Sequence, residues 1–382
     1  MRTATLTINP AAITHNLAQV QALAPKAKVL AMVKANAYGH GVAAVLPALD
    51  QADGVGVATF EEALEARRLG WLKTIGLVEG VFSASEWQRA IDNEFSCVIH
   101  HAPQLEWALD NVPPKDSQTR IVWLKYNSGM NRLGFNSDNI IEAAHALNRS
   151  GYQLILTTHF ANADAFSHPL NTLQIKRFNA LLETLRQDIS PDIQASLCNS
   201  AGIIHFAQCH QDWVRPGIML YGSSPINDKS AAQLNLQPAM TFSTKIMAFQ
   251  TVTAGDAIGY GSRWIAQQDT RTALISIGYG DGYPRVIDEQ AQVCVILTHV
   301  DGAKEHYFCP IRGRVAMDMI VIDISTTPKD LPLNNDVILW GEAPHIDDVA
   351  ASAGTISYEL FCRLSLRPNR LVANSIAERL EK

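Results

Sequence analysis

The 382-residue sequence has no apolar run close to the roughly 18–20 residues that a membrane-spanning helix needs. Its six cysteines lie far apart without a CxxC spacing, which argues against a disulfide-stapled scaffold and favours free thiols. The twelve histidines form no HExxH or similar spacing, so no metal site is expected. Lysine and arginine form no cluster and the net charge is −6, so neither a nucleic-acid nor a membrane partner is expected.

The N-terminal segment holds a single Lys or Arg, Arg2, in its first 25 residues and is interrupted by polar residues. A secretory leader combines a basic start with an apolar stretch, so no leader is expected. Together with the unpaired cysteines, this predicts a cytoplasmic protein. The composition, 47% hydrophobic and 18% charged, is typical of a globular enzyme of small molecules with one large domain or two.

Short apolar runs alternate with stretches of helical periodicity from about residue 29 to 215. The runs cover residues 29–33, 54–58, 74–78, 96–99, 120–124, 154–157, 193–197 and 212–214. Continuous apolar runs are typical of strands buried on both faces, as in a parallel sheet. Eight strand–helix units predict an α/β fold, a (β/α)8 TIM-type barrel, with a doubly wound open sheet as the alternative.

Several helix boundaries are marked by capping residues. Thr59 with Glu62, and Ser83 with Glu86, predict two capping boxes, in which the hydroxyl accepts a first-turn N–H and the carboxylate reaches back to the cap residue. Ser137 and Gly151 are expected to bracket a further helix as its start and its stop.

The pattern changes after about residue 228, where β-rich runs follow one another without helices between them. These runs cover residues 241–252, 272–277, 293–298, 311–315, 319–324 and 337–340. This predicts a barrel domain over residues 10–228 and a second, mainly β domain over 229–382, closed by a helix near 355–364. Residues 4–8 alternate like an edge strand, so the segment 1–9 is expected to join the β domain before a helix starts at Pro10.

Chemistry-bearing side chains follow five of the predicted barrel strands. In barrels of this type the loops after the strands line the catalytic face, and those after the last two strands often bind phosphate. Each residue alone has a structural explanation, since a lysine that ends a strand usually only reaches solvent. Their coincidence at one face predicts a phosphate-binding barrel enzyme with a reactive amine, and spacing alone goes no further. The residues are Lys34, Tyr38, Arg132, His159, Ser200 and Arg215.

The string VKANAYGHG from Val33 to Gly41 resembles the pyridoxal-phosphate signature of alanine racemases. Nine further motifs follow in that family's order across both predicted domains, and such an ordered set is very specific. They are SGMNRLG from Ser128, THFA from Thr158, CNS from Cys198, VRPGI from Val214, YG from Tyr221, IGYG from Ile258, GYGDG from Gly278, GRVAMD from Gly313 and SYE from Ser357.

The resemblance implies a role for each matching residue. It implies that Lys34 carries pyridoxal 5'-phosphate as a Schiff base, and that Tyr260 is the second catalytic base. The phosphate would be held by Tyr38, Ser200, Gly217, Ile218 and Tyr358, with Asn199 beside it.

The pyridine nitrogen would face Arg215, with His159 on the same network. Arg132 and the Met317 backbone would receive the substrate carboxylate, and the entrance would be lined by Asp164, Tyr279 and Arg285.

The implied reaction explains why two bases are needed. Racemisation removes a proton from one face of a carbon and returns one to the other, whereas a single fixed base tends to return it to its own face. A phenol with an ordinary pKa of about 10 is mostly protonated at pH 7, so cations such as Arg215 and His159 are expected to favour phenolate. Since arginine cannot accept a proton, Arg215 is expected to leave the pyridine nitrogen neutral, which suits a racemase better than a decarboxylase or aminotransferase.

The resemblance implies alanine as the substrate, a homodimer with composite active sites, and D-alanine supplied for peptidoglycan and cell-wall biogenesis. A racemase of broader specificity is an alternative. A non-catalytic pyridoxal-phosphate carrier is another, from a different class, and it would need neither the β domain nor Tyr260.

One departure from the family pattern lies beside Lys125. Relatives often have an aspartate two residues after this lysine, where this sequence has Asn127. In relatives the lysine can be carbamylated so that its new negative charge holds the arginine at Arg132. Carbamate, chloride and water all stay open here, as does a purely structural Lys125.

Overall fold

The computed structural model describes residues 3–373, which form two compact units. Ile13–Leu236 form one unit, and the described residues up to Ala12 and from Gln237 onward form the other. Residues 1, 2 and 374–382, which the predicted domain limits include, lie outside the described residues. Among residues 3–373, no helix combines the length and apolarity needed to cross a bilayer.

The first unit contains the predicted parallel sheet. Numbered along the chain, its strands are β2 (Lys28–Met32), β3 (Gly54–Val57), β4 (Thr74–Leu77), β5 (Ser96–Ile99), β6 (Ile121–Lys125), β7 (Gln153–Thr157), β8 (Gln194–Ser196) and β9 (Trp213–Val214). They pair in chain order from β2 to β8, and β9 returns to pair with β2. A bridge between Asn199 and Arg215 joins the chain after β8 to the chain after β9. The (β/α)8 barrel is therefore confirmed, and the open-sheet alternative is wrong.

Large side chains fill the barrel where glycines make room for them. The Trp123 and Trp213 rings meet edge to face at 5.3 Å between centroids, in a buried cluster with Leu30. A Cβ on Gly54 would lie 2.9 Å from the Thr74 backbone oxygen and 3.0 Å from Leu30 Cδ1, so the close approach of β3 and β4 favours glycine there. The Trp123 indole donates to Ser96 Oγ at 3.0 Å, which satisfies a polar group in the core.

Helices follow the barrel strands and close the second unit. They are α1 (Pro10–Leu23), α2 (Lys34–Tyr38), α3 (Val42–Val45), α4 (Phe60–Arg68), α5 (Ala84–Asp92), α6 (Ala102–Asp110), α7 (Ser137–Arg149), α8 (Pro169–Asp188), α9 (Ser200–His205), α10 (Ile346–Ser352) and α11 (Ser357–Cys362).

The capping predictions hold to different extents. The box at Thr59 and Glu62 is complete. Ser83 caps α5, but the Glu86 carboxylate accepts from Phe82 N, one residue before the cap. The assignment of Ser137 as a cap is wrong, because Asn136 caps α7 and Ser137 is already helical. The Asn136 side chain accepts from Asn139 N at 3.0 Å and so satisfies a first-turn N–H of the helix.

The second unit is mainly β. Its strands are β1 (Thr5–Ile8), β10 (Met240–Val252), β11 (Ala257–Ile258), β12 (Trp264–Ile265), β13 (Thr270–Ile275), β14 (Gln292–Thr298), β15 (Lys304–Arg312), β16 (Ile320–Asp323), β17 (Asp336–Trp340) and β18 (Asn369–Val372). Within the described residues, β10, β13, β16, β15, β14 and β17 pair antiparallel in a closed ring. The long β10 contributes to both sides of that ring through register shifts near Phe242 and Ile246.

Two strand predictions in this unit need correction. β1 does pair with β10, as expected for the N-terminal segment, but it is not an edge strand, because β18 covers its other side in parallel register. The strand predicted at 311–315 ends at Arg312 and begins at Lys304. Gly313 ends it with a φ of 75°, a left-handed conformation that does not continue a strand.

Candidate active site

Lys34 directly precedes a short left-handed turn. Ala35, Asn36 and Ala37 have φ values of 53–54° and Tyr38 has 51°, although none is glycine. Each such residue costs about 1–2 kcal/mol relative to right-handed geometry, so surrounding contacts must hold the turn. The Ala37 N–H donates to Val33 O at 2.8 Å, and the Asn36 side chain accepts from Val42 N at 2.9 Å. The turn thus fixes the direction in which the chain leaves β2 at Lys34.

Stacked rings fix the phenol at the end of this turn. The Tyr38 ring stacks on Tyr221 with centroids 4.9 Å apart, and the His40 ring packs against Tyr221 at 4.5 Å. The Tyr221 hydroxyl donates to Met32 O at 2.8 Å, which anchors the stack to β2. Buried ring contacts therefore fix the position of the Tyr38 side chain.

The Tyr38 hydroxyl lies against the backbone of Gly217. A Cβ on Gly217 would be 2.5 Å from that oxygen, so the close approach requires glycine. Ser200 Oγ accepts from Gly217 N at 2.8 Å, and Ile218 begins the next turn. Asn199, which caps α9, stands beside Ser200 and accepts from Gly202 N at 2.9 Å. Two hydroxyls and adjacent backbone thus meet after β2, β8 and β9, a donor set that suits a phosphate.

Arg215 is buried at the end of β9 with its guanidinium held by three strand ends. Nη2 donates to Thr158 O at 2.5 Å and to Leu197 O at 3.3 Å, while Nη1 donates to Ser196 Oγ. Burial lowers the pKa of Arg215 to about 10, so the guanidinium is still charged at neutral pH. The position is rigid, and its role toward a pyridine nitrogen stays a prediction.

Positive charges converge beside Arg215. Burial, followed by the charges of Arg215, Arg132 and Lys34, lowers the pKa of Lys125 to about 8. The lowered pKa favours the neutral amine, which is the form that reacts with carbon dioxide. Modification of Lys125 stays a prediction.

The expectation that His159 acts as a cation is wrong. Burial lowers its pKa well below the usual range, and the charges of Arg215, Lys125, Arg132 and Lys34 lower it further. The imidazole is therefore neutral at pH 7. Arg215 alone carries the charge of this pair.

Asn127, the departure from the family pattern, shapes the loop that carries Arg132. Its side-chain oxygen accepts from Asn131 N at 2.9 Å and from Gly129 N at 3.3 Å, and its amide donates to Asn131 Oδ1 at 3.1 Å. An amide oxygen supports this turn as a carboxylate oxygen would, so the loop does not need the aspartate. Asn127 does not bring a negative charge toward Arg132.

Gln174 is a supporting residue that the sequence did not reveal. From α8 its amide donates to Ser128 Oγ at 3.0 Å and to His159 O at 2.9 Å, and so links the loops after β6 and β7. Ser128 Oγ also lies 2.7 Å from Thr158 Oγ1. The available signal was a glutamine one helical turn before the apolar stripe that starts at Phe178, a position that is buried.

Asp164, the entrance residue of this unit, is exposed after β7. Its carboxylate accepts from Asn227 Nδ2 at 3.2 Å, and its carbonyl accepts from Asn227 N at 3.4 Å. These bonds tie the segment around Asp164 to the segment around Asn227 near the end of the unit. The structure does not place it by contact with Lys34 or Arg132.

In the second unit, the structure brings two predicted residues together. The backbone N–H groups of Tyr279 and Gly280 donate to Ala316 O at 3.0 Å and Met317 O at 2.9 Å. Arg367 ties the same two loops through Asp318 Oδ1 at 2.6 Å and Asp281 Oδ1 at 3.5 Å. Met317 is half-exposed, so its loop is accessible at the surface of this unit.

The remaining residues of this unit lie on separate elements. Tyr260 lies at the tip of the β11–β12 hairpin between Gly259 and Gly261, which have φ values of 69° and 71°, and it is 72% exposed. Tyr358 is the second residue of α11, and Arg285 is exposed in the loop after Asp281.

The barrel unit therefore defines a class: a (β/α)8 enzyme with a lysine, a cationic cluster and a phosphate-like donor set at the ends of its strands. Residues 8–225 match the family model described as "Alanine racemase, N-terminal domain", and residues 239–372 match "Alanine racemase, C-terminal domain". The chain belongs to the alanine racemase family, whose members are pyridoxal-phosphate-dependent isomerases.

Individual relatives agree with this assignment. The alanine racemase of Psychrobacter sp. (strain PRwf-1) is 52% identical over 97% of this chain and 100% of its own. The solved alanine racemase of Acinetobacter baumannii has a TM-score of 0.90 and 46% identity, covering 98% of this chain and 100% of its own. The alanine racemase of Bartonella henselae, solved with covalently bound pyridoxal phosphate, has a TM-score of 0.83 at 26% identity, with coverage of 98% and 100%.

Proposed function

We propose that this protein interconverts L-alanine and D-alanine, with pyridoxal phosphate linked to Lys34. One base removes the proton from one face of the α-carbon, and a second base delivers a proton to the other face. The observation that carries the proposal is the contact of the Tyr38 hydroxyl with Gly217 beside Ser200, in the same unit as Lys34. Matches to both domain models support an enzyme rather than a carrier that has only the barrel.

The residues present fit the cofactor. Tyr38, Ser200, Gly217 and Ile218 would hold its phosphate, with Asn199 beside them and Tyr358 completing the set. Arg215 would face the ring nitrogen, with neutral His159 behind it. When bound, pyridoxal phosphate supplies the electron sink that makes the α-hydrogen of an amino acid acidic.

Side chains and backbone groups of the protein bind the substrate and transfer its proton. Arg132 and the Met317 N–H bind the substrate carboxylate, so the α-carbon is oriented between two bases. Once the substrate amine has replaced Lys34 on the cofactor, the freed Lys34 amine removes or returns the proton on one face, and the Tyr260 phenol does so on the other. Arg215 keeps its own proton because its pKa of about 10 leaves it charged at neutral pH. Asp164, Tyr279 and Arg285 line the entrance.

The exposed hairpin of Tyr260 supports a homodimer in which Tyr260 serves the partner's barrel. We place the protein in the cytoplasm, where D-alanine is made for peptidoglycan. Growth of a D-alanine auxotroph without D-alanine tests this role, and failure of an expressed active enzyme to restore growth would contradict it.

Purified protein is expected to convert L-alanine to an equal mixture of both enantiomers, and to turn over serine more slowly. One added group in a pocket changes the barrier by only about 1–3 kcal/mol, so serine should be slow rather than inert. Chiral chromatography of the products measures both rates. Serine or lysine turning over faster than alanine would favour the broad-specificity racemase instead.

Borohydride reduction of the yellow protein is expected to fix the cofactor on Lys34, as read by peptide mass spectrometry. Lys34→Ala should lose the covalent colour, because the proposed link to the cofactor is made by the Lys34 amine itself. Lys28→Ala is the matched control at the opposite, exposed end of the same strand β2 and should keep the label on Lys34. A label on any other lysine contradicts the assignment.

A further inference from the structure

Glu62 accepts the backbone N–H that follows Lys34. Its Oε1 lies 2.6 Å from Ala35 N, a short bond to a charged acceptor. Ala35 is also the first residue of the left-handed turn. The carboxylate therefore acts at the point where the chain changes from the extended strand β2 to a conformation that L-residues adopt rarely.

The second oxygen of Glu62 binds the neighbouring strand end. Oε2 accepts from Ala58 N at 2.8 Å and from Thr59 N at 3.2 Å, just after β3. A capping box requires only that Thr59 N donates to the Glu62 carboxylate and that Glu62 N donates to the Thr59 hydroxyl. The bond to Ala35 comes in addition and joins the helix start to the adjacent strand end.

Glu86 shows what the same motif does without that addition. On the next helix Ser83 Oγ accepts from Glu86 N at 3.1 Å, and Glu86 Oε2 accepts from Phe82 N at 2.8 Å. The bonds that Glu86 makes here stay within its own helix start. The two glutamates therefore share a capping role and differ in contact with the segment of Lys34.

We infer that Glu62 is a positioning residue for Lys34: its carboxylate holds the left-handed turn and thereby sets the direction of the lysine side chain. The inference rests on the proposed function, in which Lys34 carries the cofactor. Glu62 itself acts through the backbone of Ala35 and transfers no proton.

The test compares Glu62→Gln with Glu86→Gln in the full-length holoprotein. Glutamine keeps the size of the side chain but offers one acceptor oxygen in place of two, so either Ala35 or the β3 end loses its partner. Hydrogen exchange of the peptide over residues 33–41 and release of the cofactor to hydroxylamine are measured for both variants. Melting temperature, kcat and KM for alanine are measured alongside.

For Glu62→Gln we expect exchange at Ala35 and cofactor release to rise about tenfold, the effect of losing a hydrogen bond to a charged acceptor. We expect kcat to fall while KM changes little, because Arg132 and Met317 are untouched. Glu86→Gln should match the wild type in exchange and release. Thr59→Val, which removes the cap hydroxyl but keeps the carboxylate, should lower the melting temperature without changing cofactor release.

Equal exchange and cofactor release in Glu62→Gln and Glu86→Gln would overturn the inference and leave Glu62 as a helix cap only. If Glu62→Gln does not fold, Glu62→Asp replaces it, because the shorter carboxylate cannot span Ala35 and Ala58 together. A wild-type protein with no cofactor on Lys34 would instead contradict the proposed function. The exchange of residues 33–41 would still decide whether Glu62 holds the turn.

Discussion

Dimers assembled from Lys34→Ala and Tyr260→Phe subunits are expected to regain racemase activity that neither variant has alone. Each variant removes one of the two bases, so each homodimer has two incomplete sites. If Tyr260 serves the partner's barrel, a mixed dimer has one doubly damaged site and one intact site. Random exchange of equal amounts should then restore about a quarter of the wild-type activity.

The controls separate this result from unrelated causes. Tyr260→Phe should stay yellow, because the phenol takes no part in linking or holding the cofactor. Native mass spectrometry of subunits with different tags should show that mixed dimers have formed. If mixed dimers are present and inactive, Tyr260 acts within its own chain or is not the second base.

Gly217→Ala is expected to weaken retention of pyridoxal phosphate by roughly 10- to 100-fold, which corresponds to an overpacking cost of about 1–3 kcal/mol. The new Cβ would lie 2.5 Å from the Tyr38 hydroxyl. Tyr38 has little freedom to withdraw, because its ring is stacked on Tyr221. Equilibrium dialysis with the cofactor and the absorbance of the bound form measure the loss.

Gly76→Ala is the matched control, since its Cβ would meet the flexible Leu30 side chain at 3.3 Å and no proposed cofactor ligand. Adding Tyr38→Phe to Gly217→Ala removes the clashing oxygen and should recover the melting temperature but not the cofactor. Unchanged cofactor retention in Gly217→Ala would show that Tyr38 and Gly217 do not form the phosphate site.

The barrel could be predicted because its signal is local. Runs such as 74–78 and 96–99 are apolar throughout, which only a strand covered on both faces tolerates, and their order in the chain is their order in the sheet. The second unit has no such local signal for the order of its strands. Its closed ring pairs β10 with both β13 and β17, and β18 with β1 from the other end of the chain. Alternation reveals a strand but not its partner, so the sequence predicts an edge strand at β1 where the structure has a strand paired on both sides.

The features of the site also differ in whether the sequence predicts them. Lys34, Ser200 and Arg215 could be placed at one face because parallel strands end together. The left-handed turn after Lys34 could not, because no glycine marks residues 35–38 and contacts from elsewhere hold it. Glu62 was recognisable as a capping residue, but its bond to Ala35 crosses from one strand end to the next.

Sequence pattern alone determined the barrel, the β-rich second unit and the residue types at the strand ends, because periodicity and motif order depend on near neighbours in the chain. Tertiary structure alone decided the charge of His159, the contact of Tyr38 with Gly217 and the hydrogen bond from Ala35 N to the Glu62 carboxylate. A pKa depends on burial and on charges that arrive from distant segments, and a close approach depends on which backbones meet. Both arise only when the strands have closed into the barrel.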